Sequence, residues 1–188
     1  MKADGEKFLG VTIPGKVKKL VLSGHRDSVT SITVDQSHNS LLSASCDGSL
    51  RLWDVRVRNS SIRLMRVPET DGEVNVCRAT GDLVTVSSGN SLFGYDLRAS
   101  ESIIVNTPSF RYTSEWEECE INDFGFSSDN AFIAAPTDDG DVEIIDVKTF
   151  NHIHTVRGLH SNIASVARYM PNDNNLVTTG YDCFIANT

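Results

Sequence analysis

Short apolar runs broken by tight polar turns recur along nearly the whole chain. The sharpest stretch is Leu41 to Arg56, LLSASCDGSLRLWDVR, where two apolar runs flank Cys46-Asp47-Gly48-Ser49. Asp-Gly between such runs predicts a hairpin, because glycine accepts positive φ and aspartate bonds its own backbone. Val29–Val34, Leu41–Ser45, Leu50–Asp54 and Ser61–Val67 read as one set of four strands. Glu73–Ala79, Leu83–Ser87, Ser91–Asp96 and Ser102–Asn106 make a second set, and Glu120–Phe126, Ala131–Ala135, Val142–Asp146 and His152–Val156 a third. Ile163–Tyr169 and Leu176–Thr179 begin a fourth. Apolar residues fall on both faces of these strands, as in sheets covered on both sides. Pro108–Cys119 carries Phe110, Tyr112, Trp116 and three glutamates, and reads as a surface loop. Trp116 either packs back on its sheet or marks an exposed contact. Val17–Leu22 reads as a short strand whose lysines guard an exposed edge, and residues 1–16 as a loose lead-in.

Gly24-His25 precedes Trp53-Asp54 by the spacing of a propeller-blade repeat. On these residues the chain resembles the WD40-repeat family. The resemblance implies an all-β fold: a WD40 β-propeller segment of about three and a half four-stranded antiparallel blades over residues 17–188. The repeats are expected at 20–67, 73–106, 120–156 and 158–188. Tyr95-Asp96 and Ile145-Asp146 stand for Trp53-Asp54 in the second and third repeats, and Gly158-Leu159-His160 opens the fourth. The chain stops where a fourth Trp-Asp is due, so a C-terminally truncated propeller is expected. Its ends are expected to form an open arc prone to self-association, rather than a ring closed by Val17–Leu22.

In such a repeat His25, Ser43 or Ser45, Asp47 and Trp53 form an internal polar network, and buried polar groups that are fully paired rigidify their blade. The second repeat lacks most of these groups, the third keeps Asp139, and the fourth keeps His160 and Asp182, so the middle blades are expected to be the more mobile. Leu41–Arg56 also fits a box ending in apolar-Trp-Asp-x-Arg. The resemblance implies a use for it: receptors of the cullin-4 ubiquitin ligase dock with this box on an adaptor, damage-specific DNA-binding protein 1. Arginine suits that role as a permanently charged planar fork. Asp54 and Arg56 are the adaptor-binding candidates, with Asp96 and Arg98 as a partial second box. Glu120-Ile121-Asn122 and His160-Ser161-Asn162-Ile163 resemble the WD repeat-containing protein 53 group, over residues 120–182 and more loosely over 20–107. Tyr95-Asp96-Leu97-Arg98 and the Trp116 region more weakly resemble Swd2-type WD40 subunits of Set1 histone methyltransferase complexes. A scaffold of that type, or a truncated copy without independent function, is the alternative reading.

Composition narrows the rest. The net charge of the 188 residues is −8. Residues 101–146 hold twelve acids against Arg111 alone, whereas residues 1–66 are basic. The acidic half repels nucleic acid and suits a protein partner with a basic segment. Four dispersed cysteines, Cys46, Cys77, Cys119 and Cys183, fit reduced thiols of the cytoplasm or nucleus. No run has the length of a membrane span. His25, Ser43 or Ser45 and Asp47 include the residue types of a hydrolase triad, but no GxSxG elbow accompanies them. His152, His154 and His160 lack a carboxylate or thiol at ligand spacing. No catalytic, metal or cofactor site is therefore assigned. The function expected is a non-enzymatic protein-interaction scaffold.

Overall fold

The computed structural model of the chain describes residues 21–35, 40–54, 61–68, 73–115, 119–172 and 174–188. Among the described residues sixteen strands form four sheets. The first blade contains β1 (Val29–Asp35), β2 (Ser40–Ser45), β3 (Ser49–Asp54) and β4 (Ser61–Arg66). The second contains β5 (Val74–Thr80), β6 (Leu83–Ser88) and β7 (Ser91–Asp96), and its outer strand is β9 (Phe110–Thr113). The third contains β10 (Gly125–Phe126), β11 (Phe132–Pro136), β12 (Val142–Asp146) and β13 (His152–Val156). The fourth contains β14 (Ala164–Tyr169), β15 (Leu176–Gly180) and β16 (Ile185–Asn187). Within each blade neighbouring strands run antiparallel. This is a partial β-propeller.

The hairpin of the first blade turns at Asp47-Gly48. Gly48 adopts φ 72 and donates its N–H to Ser45 O, while Asp47 Oδ1 accepts the Ser49 N–H. The turn chemistry therefore fixes the register, pairing Leu41 with Trp53 and Ala44 with Leu50.

The core lies between blades. Leu42, Ala44, Leu50 and Met65 of the first blade pack on Cys77, Val84, Val86, Phe93 and Tyr95 of the second. Leu92 and Tyr112 of the second meet Phe124, Ile133, Ile145 and Phe150 at the third. Ala134 and Val142 of the third meet Ala167 and Leu176 of the fourth. Ile145, standing for the tryptophan, is fully buried. At the last junction Gly140 has φ 83, and a Cβ there would collide with the backbone oxygens of His160 and Asn162.

Two expectations are corrected. The segment around Ser102–Asn106 does not close the second blade. Only β8 (Ile104–Val105) is strand, and it pairs parallel with β4 as a fifth strand of the first sheet. The segment expected as a loop instead supplies β9, which completes the second blade. The reason is aromatic burial. Tyr112 is buried and Phe110 stacks on Phe150, with ring centroids 5.4 Å apart and planes 9° off parallel. Ile104 and Val105 instead line the open edge of the first blade, where Leu64 N–H bonds Ile103 O. Trp116 and residues 17–20 lie outside the described residues; Val21 and Leu22 are described and are not in a strand.

Candidate docking surface between the first two blades

A polar chain stiffens the first blade. Trp53 Nε1 donates to Ser43 Oγ at 2.8 Å, Ser43 Oγ lies 2.7 Å from His25 Nε2, and His25 Nδ1 lies 3.3 Å from Asp47. One assignment satisfies every atom: the Ser43 hydroxyl donates to Nε2, and Nδ1–H donates to the Asp47 carboxylate. Burial lowers the His25 pKa; the Asp47 hydrogen bond and charge oppose that shift, and Arg51 adds to it. The ring is thus neutral at pH 7, as this assignment requires. For Asp47, burial pushes the pKa up, but hydrogen bonds from Ser49, the Arg26 backbone and His25 outweigh it and leave the carboxyl at about 2. Ser45 is not in this chain of contacts. Its hydroxyl donates to Asp27 O and accepts the Asp47 N–H.

The fourth blade repeats the arrangement, with His160 Nδ1 3.0 Å from Asp182 and Nε2 2.9 Å from Thr178 Oγ1. In both blades the histidine is consumed by structure. The Ser43 side chain is buried and its oxygen already holds the indole N–H. His152, by contrast, bonds Thr155 on the exposed β13, away from His160.

The middle blades are tied by charge. Asp123, at the start of the third blade, accepts from Arg78 Nη2 at 2.8 Å and from Arg168 Nη1 at 2.5 Å. One buried carboxylate thereby bridges the second and fourth blades, and Arg78 Nε also donates to Phe124 O. Its members recur every 45 residues, at 78, 123 and 168, one on each of three successive blades, a spacing that the sequence reading did not use.

The docking candidates converge on the seam between the first two blades. A cavity of about 310 Å³ opens there, walled by Leu42, Leu52, Val84 and Leu97, with Asp54, Arg63, Asp82 and Arg98 at its polar positions. Asp54 ends β3 and Arg98 follows β7, yet both line the one cavity. Asp96 grips Arg98 in a fork, with Nε at 3.0 Å and Nη2 at 2.8 Å. These hydrogen bonds from Arg98 lower the Asp96 carboxyl to about 2. The Arg98 side chain is 72% exposed. Arg63 donates to Leu97 O and so ties the first blade to this turn. Arg56 lies outside the described residues.

A family model, "WD domain, G-beta repeat", matches residues 16–54. These residues carry a WD40 repeat. Among curated relatives, the chain is 29% identical over 164 residues to "WD repeat-containing protein 53 homolog" of Dictyostelium discoideum, covering 86% of itself and 43% of the relative. It is 26% identical over 146 residues to "Pre-mRNA-processing factor 19" of Mus musculus, covering 78% of itself and 28% of the relative. The chain thus spans less than half the length of these relatives. Among solved structures it superposes on the computationally designed protein Ika4 with a TM-score of 0.71 at 16% identity, over 93% of this chain and 98% of that one. On the designed protein Ika8 the TM-score is 0.68 at 16% identity, over 89% of this chain and 48% of that one. At such identities the likeness shows the fold alone.

Asp54, Asp96 and Arg98 were legible in the sequence as candidates for this surface; Arg63, Asp82 and the cavity between them were not. The one available signal was the placement of Arg63 on the outer strand directly across from Leu52.

Proposed function

We propose that the chain is a non-enzymatic docking platform of the cytoplasm or nucleus, and that its contact surface is the seam between the first two blades. WD40-repeat proteins are protein-interaction scaffolds, and the finer reading is that this one docks the cullin-4 adaptor through Asp54, Arg56, Asp96 and Arg98. The observation that carries it is the convergence of Asp54 and Arg98 on one cavity, with Arg98 exposed and pre-aimed by Asp96. Asp96 takes Nε and Nη2; among the described residues Nη1 has no partner, which leaves one charged donor face for a carboxylate or carbonyl. The apolar wall below offers a pocket for a side chain at the centre of the contact, the arrangement of an interface hot spot.

A pull-down with purified adaptor tests the reading. Wild type retains the adaptor, and Arg56→Ala with Arg98→Ala loses it while keeping its circular dichroism spectrum. Equal retention by the folded double variant, or no retention by wild type, refutes it.

A further inference from the structure

The outer edge of the first blade holds a strand that its own hairpins do not supply. After β7 the chain leaves the second blade, and β8 lies parallel to β4, with Leu64 beside Ile104 and Met65 beside Val105. Every other strand pairing among the described residues is antiparallel. The hold of β8 is slight. It spans two residues, and parallel pairing is a little less stable per residue than antiparallel. Val105 packs on the core of the seam, but Ile103 just before it is 68% exposed. β4 is six residues long, and its Ser61, Ile62, Arg63 and Arg66 have no strand outside them among the described residues. Blades stack face to face, whereas this edge lies on the rim of the sheet beyond β4, where a neighbouring blade does not cover it.

We propose that the outer edge of β4 is a docking site for an extended partner segment with consecutive β-branched aliphatic residues, and that β8 is its tethered stand-in. The inference stands apart from the adaptor reading. The chemistry of the occupant is read from β8 itself. Ile103-Ile104-Val105 is what the edge accepts, and the direction of β8 makes the guest run parallel to β4. In strand addition of this kind main-chain hydrogen bonds supply the affinity, and alternate side chains supply the specificity. The tether gives β8 a high effective concentration. A partner strand overcomes that advantage through length, because it also pairs along the residues of β4 that β8 leaves open. Its apparent affinity is the intrinsic one reduced by the fraction of molecules in which β8 is away. While it is in place, β8 shields an edge that would otherwise recruit strands indiscriminately.

The experiment is fluorescence anisotropy of a labelled peptide with the sequence of residues 101–107, added to the whole chain. In the register of β8 this peptide spans all of β4. Val105→Pro removes the N–H of that residue from the ladder and so frees the edge. Ile103→Asn with Ile104→Asn weakens β8 at positions that are 68% and 52% exposed, so this second variant keeps its fold even where the first does not. Each variant that is folded by circular dichroism binds the peptide saturably, and its Ser61–Arg66 amides gain protection from hydrogen exchange. Wild type binds about tenfold more weakly, as expected of a site that is open about a tenth of the time. A peptide with proline in place of its valine binds none of them. Folded variants that fail to bind, wild type and variants that bind alike, a proline peptide that binds as well as its parent, or protection gained away from β4 each overturn the proposal. β8 is then no more than a cover on the edge.

Discussion

Asp123 offers the most direct test of how the blades are locked together. Its side chain is only 6% exposed and accepts from two guanidinium groups on different blades. Asp123→Asn keeps the shape, removes the charge and turns an N–H₂ toward one of the two cations. Breaking a fully buried ion pair costs about 3–5 kcal/mol. Here Arg78 is 27% and Arg168 46% exposed, so both cations recover part of their hydration when released. The expected loss is about 2 kcal/mol, within the range of hydrogen bonds to charged groups. For a domain of this size that corresponds to a fall in Tm of roughly 4–8 °C. Arg168→Gln, on the more exposed arm, costs less, about 0.5–1 kcal/mol. Urea denaturation of the single variants and their double combination measures the coupling. If Asp123→Asn lies within about 0.5 kcal/mol of wild type, the carboxylate is not a clamp, and the apolar junctions alone hold the middle blades.

Other outcomes follow from the same geometry. His25→Ala takes one hydrogen-bond partner from Ser43 and one from Asp47 and costs on the order of 1–3 kcal/mol, read from a denaturation curve; an overlay with wild type rules out the network. Because the folded His25 pKa is lowered, the unfolded chain takes up that proton first, and stability falls as pH drops below about 6.5. A stability series from pH 7.5 to 5 shows that slope, and His25→Gln flattens it. Asp47, held at about 2, loses its contribution only as pH falls from about 3.8 toward that value, so it adds nothing to the slope near neutrality. Gly140→Ala forces a left-handed backbone onto alanine, at about 1–2 kcal/mol, and drives a methyl into the His160 and Asn162 oxygens; a Tm unchanged by that substitution contradicts the close approach of the third and fourth blades.

The strands of the first and fourth repeats, and the last three of the third, were legible because their signals are local; of the expected strand Glu120–Phe126 only Gly125–Phe126 forms. Asp47-Gly48 and Asp139-Gly140 mark turns whose φ values only glycine takes easily, and alternating apolar runs flank them. The outer strand of the second blade was not legible. Ile103, Ile104 and Val105 carry strand propensity as strong as that of Phe110–Thr113, and the choice between them rests on Phe150, forty residues downstream of Phe110, which stacks on it. The choice of Ser43 over Ser45 in the polar network was open for a similar reason. Both hydroxyls point to the same face of β2, and only the position of the His25 ring, 2.7 Å from Ser43, separates them. The docking residues were named one motif at a time. That Asp54 and Arg98 share a cavity depends on how two blades stack, and the Asp123 cluster depends on three.

The central claim is that the seam between the first two blades is a docking surface. Isothermal titration of the purified chain with the cullin-4 adaptor tests it most directly, with Arg98→Ala and Arg98→Lys beside wild type. The account predicts saturable binding by wild type and a loss of roughly tenfold or more in Arg98→Ala, the worth of a charge-assisted hydrogen bond. Arg98→Lys recovers it only in part, because an ammonium cannot hold the fork on Asp96 and still reach a partner. The affinity falls with added salt but is steady from pH 5 to 8, since the Asp96 carboxyl at about 2 stays ionised throughout. Absence of binding by the folded wild type, or an affinity indifferent to Arg98, contradicts the claim.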